Sequence, residues 1–286
     1  MTNVLHEFTG VSMDTLVHIG VVSEQPRWLV APKVRQALAS FTTVEQICTR
    51  FDPSSELMQL CRRTGEPVEV SPLLLELVGF AVELARATDG AFDPTLGGWL
   101  EQRGFTVDYR TGRRQNTPAP AGTGRSAATF RDVRLDRSAG TITLERPLVL
   151  DLNAVAKGLA IDLAARDLRD LVNFSIEAGG DMYLAGHNML GAAWHVGIQD
   201  PCGLGVLERT LRVSDAAVCT SGHYERGAHI VDGRTHRSAS RLASVTVVAP
   251  TALVADGLST AALVLGRRRG QALLDAQGVS GVMVAA

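Results

Sequence analysis

Hydrophobic positions along this chain recur with two periods, and those periods divide it into helices and strands. Val11 to Val22 predicts a first strand carrying Met13-Asp14-Thr15. Pro32 to Ser40 and Thr43 to Thr49 predict two short helical segments, followed by a turn at Asp52-Pro53-Ser54-Ser55. The clearest helix begins at Ser71-Pro72, with serine as N-cap and proline in the first helical position. Its apolar run, Leu73 to Ala87, continues until Asp89-Gly90 stops it. Val133 to Leu135 and Thr141 to Leu144 predict a hairpin turning through Ser138-Ala139-Gly140, and Leu148 to Leu150 a short buried strand. Asn153 is the expected cap of a helix in which Val155, Leu159 and Leu163 recur every fourth position. Phe174 to Ile176, Met182 to Leu184, Trp194 to Ile198, Leu207 to Val213 and Ser244 to Val248 predict strands, separated by breaks such as Gly179-Gly180 and Asp200-Pro201. Thr251 caps a late helix that Gly266 stops after Leu265, and Val279 to Val284 predicts a closing strand. The fold class expected is α+β, with antiparallel-rich mixed sheets and packed helices. Residues 1–286 form one domain, or two intimately joined subdomains divided near residue 150.

Composition narrows the choice of partners. At 286 residues and 45% hydrophobic, the chain can bury a large core. A net charge of −2 gives no basic footprint for nucleic acid. The one basic run, Arg267-Arg268-Arg269, predicts a solvated corner between helices. Thr111 to Ala127 shifts to Gly, Pro, Thr, Arg and Ala without hydrophobic period, predicting a surface loop on which no chemistry depends. Cys48, Cys61, Cys202 and Cys219 are scattered without metal or redox spacing and predict reduced core residues. No leader pattern and no run of 18 apolar residues occurs, so the expectation is a cytoplasmic protein with no membrane anchor in this chain.

Charge usage then singles out one stretch. Only Lys33 and Lys157 among the 28 basic residues are lysine. Lys157 sits in Asp151-Leu-Asn-Ala-Val-Ala-Lys157-Gly158, near a helix start, where a compact ammonium suits an anionic ligand; a solvated lysine would look the same. Asp256 and Thr260, four apart, share a helix face and suit a hard cation such as Mg²⁺, although a threonine bonding back to its own helix gives the same pattern. Asp93 follows a glycine-terminated helix among small residues that let a ligand approach, or simply ends that helix. His223, His229 and Asp232 flank a polar loop, where histidine could carry a proton. There is no Gly-x-Ser-x-Gly elbow, and Gly179-Gly180-Asp181 lacks dinucleotide-binding spacing.

The order of these pieces is more specific than any one of them. Ser55-Glu-Leu57, Asp89-Gly-Ala-Phe-Asp93-Pro-Thr, Asp151 through Gly158, Glu177-Ala-Gly-Gly-Asp181, Thr220-Ser-Gly, His229-Ile-Val-Asp232 and Ala255-Asp256-Gly-Leu-Ser-Thr260-Ala follow one another from about Met13 to Gly266. Together they resemble the ApbE-type FAD:protein FMN transferases. The resemblance implies an ApbE-like flavin transferase fold and Mg²⁺-dependent transfer of FMN from FAD to a threonine or serine hydroxyl of an acceptor flavoprotein, releasing AMP. It implies metal ligation by Asp256, Thr260 and the carbonyl of Ala154, and an FAD site lined by Met13, Phe51, Ala91, Phe92, Asp93, Asp151, Lys157 and Ile230. His229 and Asp256 are the implied catalytic pair, with His229 moving the proton. Departures stand at Asp14 in place of glycine, at Gly233 and His236 in an expected Asp-Pro-Arg-Thr-Gly, and at Leu253 in place of an acid. Ala262 occupies the position where an acceptor threonine would have to stand, so self-modification there is excluded. An FAD pyrophosphatase, with water replacing the acceptor, and a non-catalytic FAD-binding protein are the alternatives.

Overall fold

A computed structural model of the chain describes residues 3–105, 128–200, 207–222, 230–238 and 242–285. The predicted loop at 111–127 lies outside them. Strands β1 (Val4–Ser12) and β2 (Thr15–Ser23) open the chain as a hairpin where the sequence predicts one strand. Met13 and Asp14 turn it with φ of 51° and 59°, a conformation usually signalled by Asn-Gly or Asp-Gly, neither of which stands at this turn. Helix α1 (Arg27–Cys48) is continuous across Pro32, so the two short segments merge. Its buried Val30, Val34, Ala37, Phe41, Val44 and Cys48 alternate spacings of four and three, a single apolar stripe whose burial outweighs the one backbone bond that Pro32 removes.

Ser55 caps α2 (Glu56–Cys61) by accepting the Met58 N–H, and β3 (Pro67–Glu69) follows. Helix α3 (Pro72–Ala87) has the predicted Ser71 cap and Pro72 start. Asp89 and Gly90, with φ of 50° and 75°, end it. After α4 (Gly97–Gln102), strands β4 (Val133–Asp136) and β5 (Thr141–Leu144) form the expected hairpin, joined by β3 in a small sheet ordered β3-β5-β4. Residues 148–150 are buried, but they form only an isolated bridge, Val149 with Leu96.

Helix α5 (Asn153–Leu168) begins at Asn153, which is its first helical residue and not its cap; the N–H of Asn153 is accepted by Asp151 at 3.0 Å. Its core face is Val155, Ala160, Ile161, Ala164 and Leu168, with Leu159 and Leu163 only partly buried, because small residues bring neighbouring helices closest. Strands β6 (Phe174–Ala178), β7 (Asp181–Ala185), β8 (Trp194–Gln199), β9 (Leu207–Val213), β10 (Ala216–Gly222), β11 (Val231–Asp232), β12 (Arg237–Ser238) and β13 (Leu242–Ala249) follow. Helix α6 (Ala252–Ala276) starts at its Thr251 cap, breaks at Gly266 with φ 73° and resumes; β14 (Ser280–Ala285) closes the chain. Arg267 to Arg269 stand exposed at that break, the predicted corner.

The main sheet is antiparallel throughout, in the order β1-β2-β6-β7-β10-β13-β14. Helices α1, α5 and α6 share its core face with Val17, Ile19, Phe174, Ile176, Val245 and Val247. On the opposite face, the β8-β9 hairpin packs Val196 and Val213 against Leu184 and Val218. Strand β10 is therefore covered on both faces, which explains why its Ala-Ala-Val-Cys-Thr-Ser-Gly lacks the alternation that marks a strand. Cys48, Cys61 and Cys219 are buried free thiols, and burial pushes those of Cys48 and Cys61 up to about 12. Cys202 lies outside the described residues. Among the described residues no helix is long and apolar enough to cross a membrane.

Candidate active site

A cavity forms where the β1-β2 turn, the end of α1, the segment around Asp93, the start of α5, the end of β10 and the first half of α6 converge. Met13, Phe51, Phe92, Asp93, Asp151, Ala154, Lys157, Ile230, Asp256 and Thr260 all line it. Ala91 does not. It is fully buried behind the wall, where its carbonyl accepts the Gly233 N–H at 2.9 Å. His223 and His229 lie outside the described residues.

Two carboxylates clasp α5 to α6. Asp162 on α5 accepts the N–H groups of Ala252 and Leu253 at 2.7 and 2.9 Å, satisfying two donors that the α6 N-terminus would otherwise leave unpaired. Burial raises its pKa to about 6. In return, Asp256 on α6, 5% exposed, accepts the Gly158 N–H at 3.0 Å. The in-helix acceptor for that N–H is the Ala154 carbonyl, so Asp256 competes for it and loosens the claim on the Ala154 oxygen. The two helices meet at Gly158, where a Cβ would stand 2.4 Å from the Ala252 carbonyl oxygen. Glycine is needed there for proximity, not for φ.

Lys157 reaches the cavity wall while ion-paired with Asp181, a residue the sequence places in a motif without a role. Asp181 is 1% exposed and also accepts the Thr220 N–H at 2.9 Å. Lys157 is thus neither a solvated surface charge nor one without a protein partner. Asp151 is held similarly: Arg50, buried at the end of α1, bonds it at 2.7 Å, gives the Phe105 carbonyl a second N–H at 2.7 Å, and lies over the Phe51 ring at 4.3 Å. Neither Arg50 nor Asp162 carries a local sequence signal, since their partners are about a hundred residues away. Asp93 bonds Thr95 Oγ1 at 2.7 Å, and burial raises its pKa over the opposing pull of those hydrogen bonds. Thr260 Oγ1 lies 2.8 Å from Ser221 Oγ, which lies 2.7 Å from Ser259 Oγ.

The departures have local explanations. Asp14 takes a left-handed φ that aspartate tolerates better than most side chains. Gly233 packs so closely that a Cβ would meet the Gly90 carbonyl at 2.5 Å, and its bond to Ala91 uses an N–H that proline lacks. His236, with φ 55°, stacks on Trp99 at 5.6 Å between centroids. Leu253 packs partly buried against the core.

Among the described residues no three His, Cys, Asp or Glu side chains converge as a metal-binding group. Asp256, Thr260 and Ala154 instead offer one carboxylate, one hydroxyl and one carbonyl on the wall of one cavity. That short, hard-oxygen set fits Mg²⁺, which keeps several waters or phosphate oxygens in its octahedron.

Comparison with known proteins finds relatives along most of the chain. The chain is 28% identical over 277 residues to the FAD:protein FMN transferase of Haemophilus influenzae, covering 90% of this chain and 80% of that one. It is 31% identical over 248 residues to the FAD:protein FMN transferase of Vibrio cholerae, covering 82% and 73%. Its fold matches the crystal structure of the ApbE protein of Thermotoga maritima with a TM-score of 0.84 at 28% identity, over 99% of this chain and 94% of the other. The flavin transferase ApbE of Vibrio cholerae matches with a TM-score of 0.84 at 27% identity, over the same shares. The ApbE family model matches residues 13–283, and the chain belongs to the ApbE family.

Proposed function

We propose that this protein transfers FMN from FAD to a threonine or serine hydroxyl of an acceptor protein, with Mg²⁺ held by Asp256, Thr260 and the Ala154 carbonyl and with AMP as the second product. The observation that carries the reading is the charge of the cavity wall. Among the described residues it has five carboxylates, on Asp14, Glu45, Asp93, Asp151 and Asp256, against two cations, Arg50 and Lys157. Such a wall repels a bare pyrophosphate, and both of its cations already face carboxylates. Asp256, Thr260 and the Ala154 carbonyl would hold a divalent cation, which would reverse the local sign and supply Lewis-acid stabilisation of the phosphate oxygens.

The protein's own groups then position the reactants. Phe51, Phe92, Leu96, Leu100, Phe105 and Val264 give the cavity apolar walls suited to a planar ring system. In the transfer the acceptor oxygen bonds to the phosphorus of the FMN half, the bridging P–O bond to the AMP half breaks, and the hydroxyl proton departs. His229, which directly precedes the cavity residue Ile230 in the chain, is the residue we assign to that proton. Incubation with FAD, Mg²⁺ and a partner bearing a flavinylation motif should add one FMN to the partner by mass spectrometry. An unmodified partner with FAD intact would count against the proposal, and free FMN and AMP without a partner would favour hydrolysis.

A further inference from the structure

Three hydroxyls join the α6 ligand face to its own backbone. Ser259 Oγ donates to the Asp256 carbonyl at 2.9 Å, Ser221 Oγ lies 2.7 Å from Ser259 Oγ, and Thr260 Oγ1 lies 2.8 Å from Ser221 Oγ. Each hydroxyl has one proton, and a carbonyl can only accept. The Ser259 proton is therefore committed to the Asp256 carbonyl, and Ser259 must accept from Ser221. The Ser221 proton being thus used, Ser221 must accept from Thr260. The chain of bonds has one direction.

We infer that Ser221 and Ser259 are positioning residues that commit the Thr260 proton to Ser221 Oγ, so that Thr260 presents only lone pairs where the cation is proposed to bind. A lone threonine hydroxyl can rotate and aim its proton at the incoming charge, which a cation ligand must not do. Burial makes the fixing effective: Ser259 is fully buried and Ser221 is 8% exposed, so water has little access to compete for these bonds. Ser259 is absent from the cavity wall and acts only through its neighbour. The inference rests on Thr260 being a metal ligand, as proposed above.

Ser221→Ala, Ser259→Ala, Thr260→Ala and Asp256→Ala separate the possibilities when Mn²⁺ affinity is measured by electron paramagnetic resonance on the full protein without FAD. Thermal unfolding without metal is followed in parallel. Both serine variants should bind Mn²⁺ about tenfold more weakly, the change that 1.4 kcal/mol produces, and any loss in unfolding temperature should not track it. The kinetic counterpart is a raised Mg²⁺ requirement with kcat retained at saturating Mg²⁺. Wild-type affinity in the serine variants, with weakened binding in Thr260→Ala, would overturn the relay. Weak binding in Ser221→Ala alone would also overturn it, because Ser221 would then act without the direction that Ser259 imposes. Wild-type affinity in Thr260→Ala and Asp256→Ala would remove the metal site itself. If Ser259→Ala does not fold, Ser221→Ala decides alone, and wild-type Mn²⁺ affinity there overturns the relay.

Discussion

Replacing Gly158 by alanine tests whether the α5-α6 crossing sets the geometry of the site. The added methyl would lie 2.4 Å from the Ala252 carbonyl oxygen, 2.7 Å from its carbon and 2.8 Å from the Leu253 Cα. These are backbone atoms near the start of a helix, so no side chain can rotate to make room. Ordinary contact begins at 3.4 Å, and the helices must therefore part by about 1 Å at their closest point. Overpacking of this kind costs about 1–3 kcal/mol. Alanine recovers about 1 kcal/mol of helix propensity over glycine, leaving a net loss of about 0–2 kcal/mol in urea unfolding. The same displacement lengthens the Asp256 bond to the Gly158 N–H from 3.0 Å and moves Ala154 on α5 away from Asp256 and Thr260 on α6. Mn²⁺ affinity should therefore fall along with stability. An alanine variant as stable as the wild type, binding Mn²⁺ normally, would refute the claim that this crossing positions the ligands.

Three further outcomes follow from the same geometry. Lys157→Ala leaves Asp181 buried without its ion pair and should cost about 3 kcal/mol in urea unfolding; Lys157→Ala with Asp181→Ala should recover part of that loss, and a double variant no better than the single would dissociate the two residues. Removal of divalent cations with EDTA should weaken FAD binding measured by flavin fluorescence, and Mg²⁺ should restore it; equal affinity in both conditions would contradict the charge reading of the cavity. Asp162 has a pKa raised by burial from 3.8 to about 6, so the native state keeps a proton that the unfolded chain loses in that interval. Its contribution to stability is present in full below pH 3.8 and is lost as pH rises through 6, a change of about 3 kcal/mol by linkage. Asp162→Asn should flatten that part of the profile in urea titrations at stepped pH, whereas parallel profiles would show that Asp162 titrates normally.

The sequence conveys those parts of the fold that local chemistry determines. Ser71-Pro72 starts α3, Asp89-Gly90 ends it, and Thr251 caps α6, because each signal satisfies backbone groups within one turn. Where tertiary contact decides, the reading fails in identifiable ways. The β1-β2 hairpin turns on two non-glycine residues with positive φ, and Pro32 is carried through α1 by its buried stripe. Strand β10 shows no alternation because both of its faces are covered. Of the site, the residues on the cavity wall are legible from ordered motifs, whereas their supports are not. Arg50 and Asp162 are single charged residues in unremarkable local sequence, Asp181 closes a motif that gives it no role, and each acquires meaning only from a partner outside its own stretch of chain.

Those supports alter the part played by the rare lysine. Read from sequence, Lys157 supplies positive charge to an anionic ligand from near a helix start. In the folded chain that charge is shared with Asp181, Arg50 is likewise turned to Asp151, and neither adds net positive charge to the wall. An anion can be favoured there only if something else brings charge. The proposed oxygen ligands from two helices come together at the α5-α6 crossing, where Gly158 permits contact, Asp162 holds the α6 N-terminus and Asp256 reaches back to α5. A cation there depends on the relative position of the two helices, and the proposed affinity for pyrophosphate depends on the cation. The steric demand at Gly158 and the electrostatic demand of the ligand are therefore one constraint, and substitutions at Gly158 or Asp162 should alter FAD binding in Mg²⁺ while leaving the metal-free protein's weak affinity unchanged.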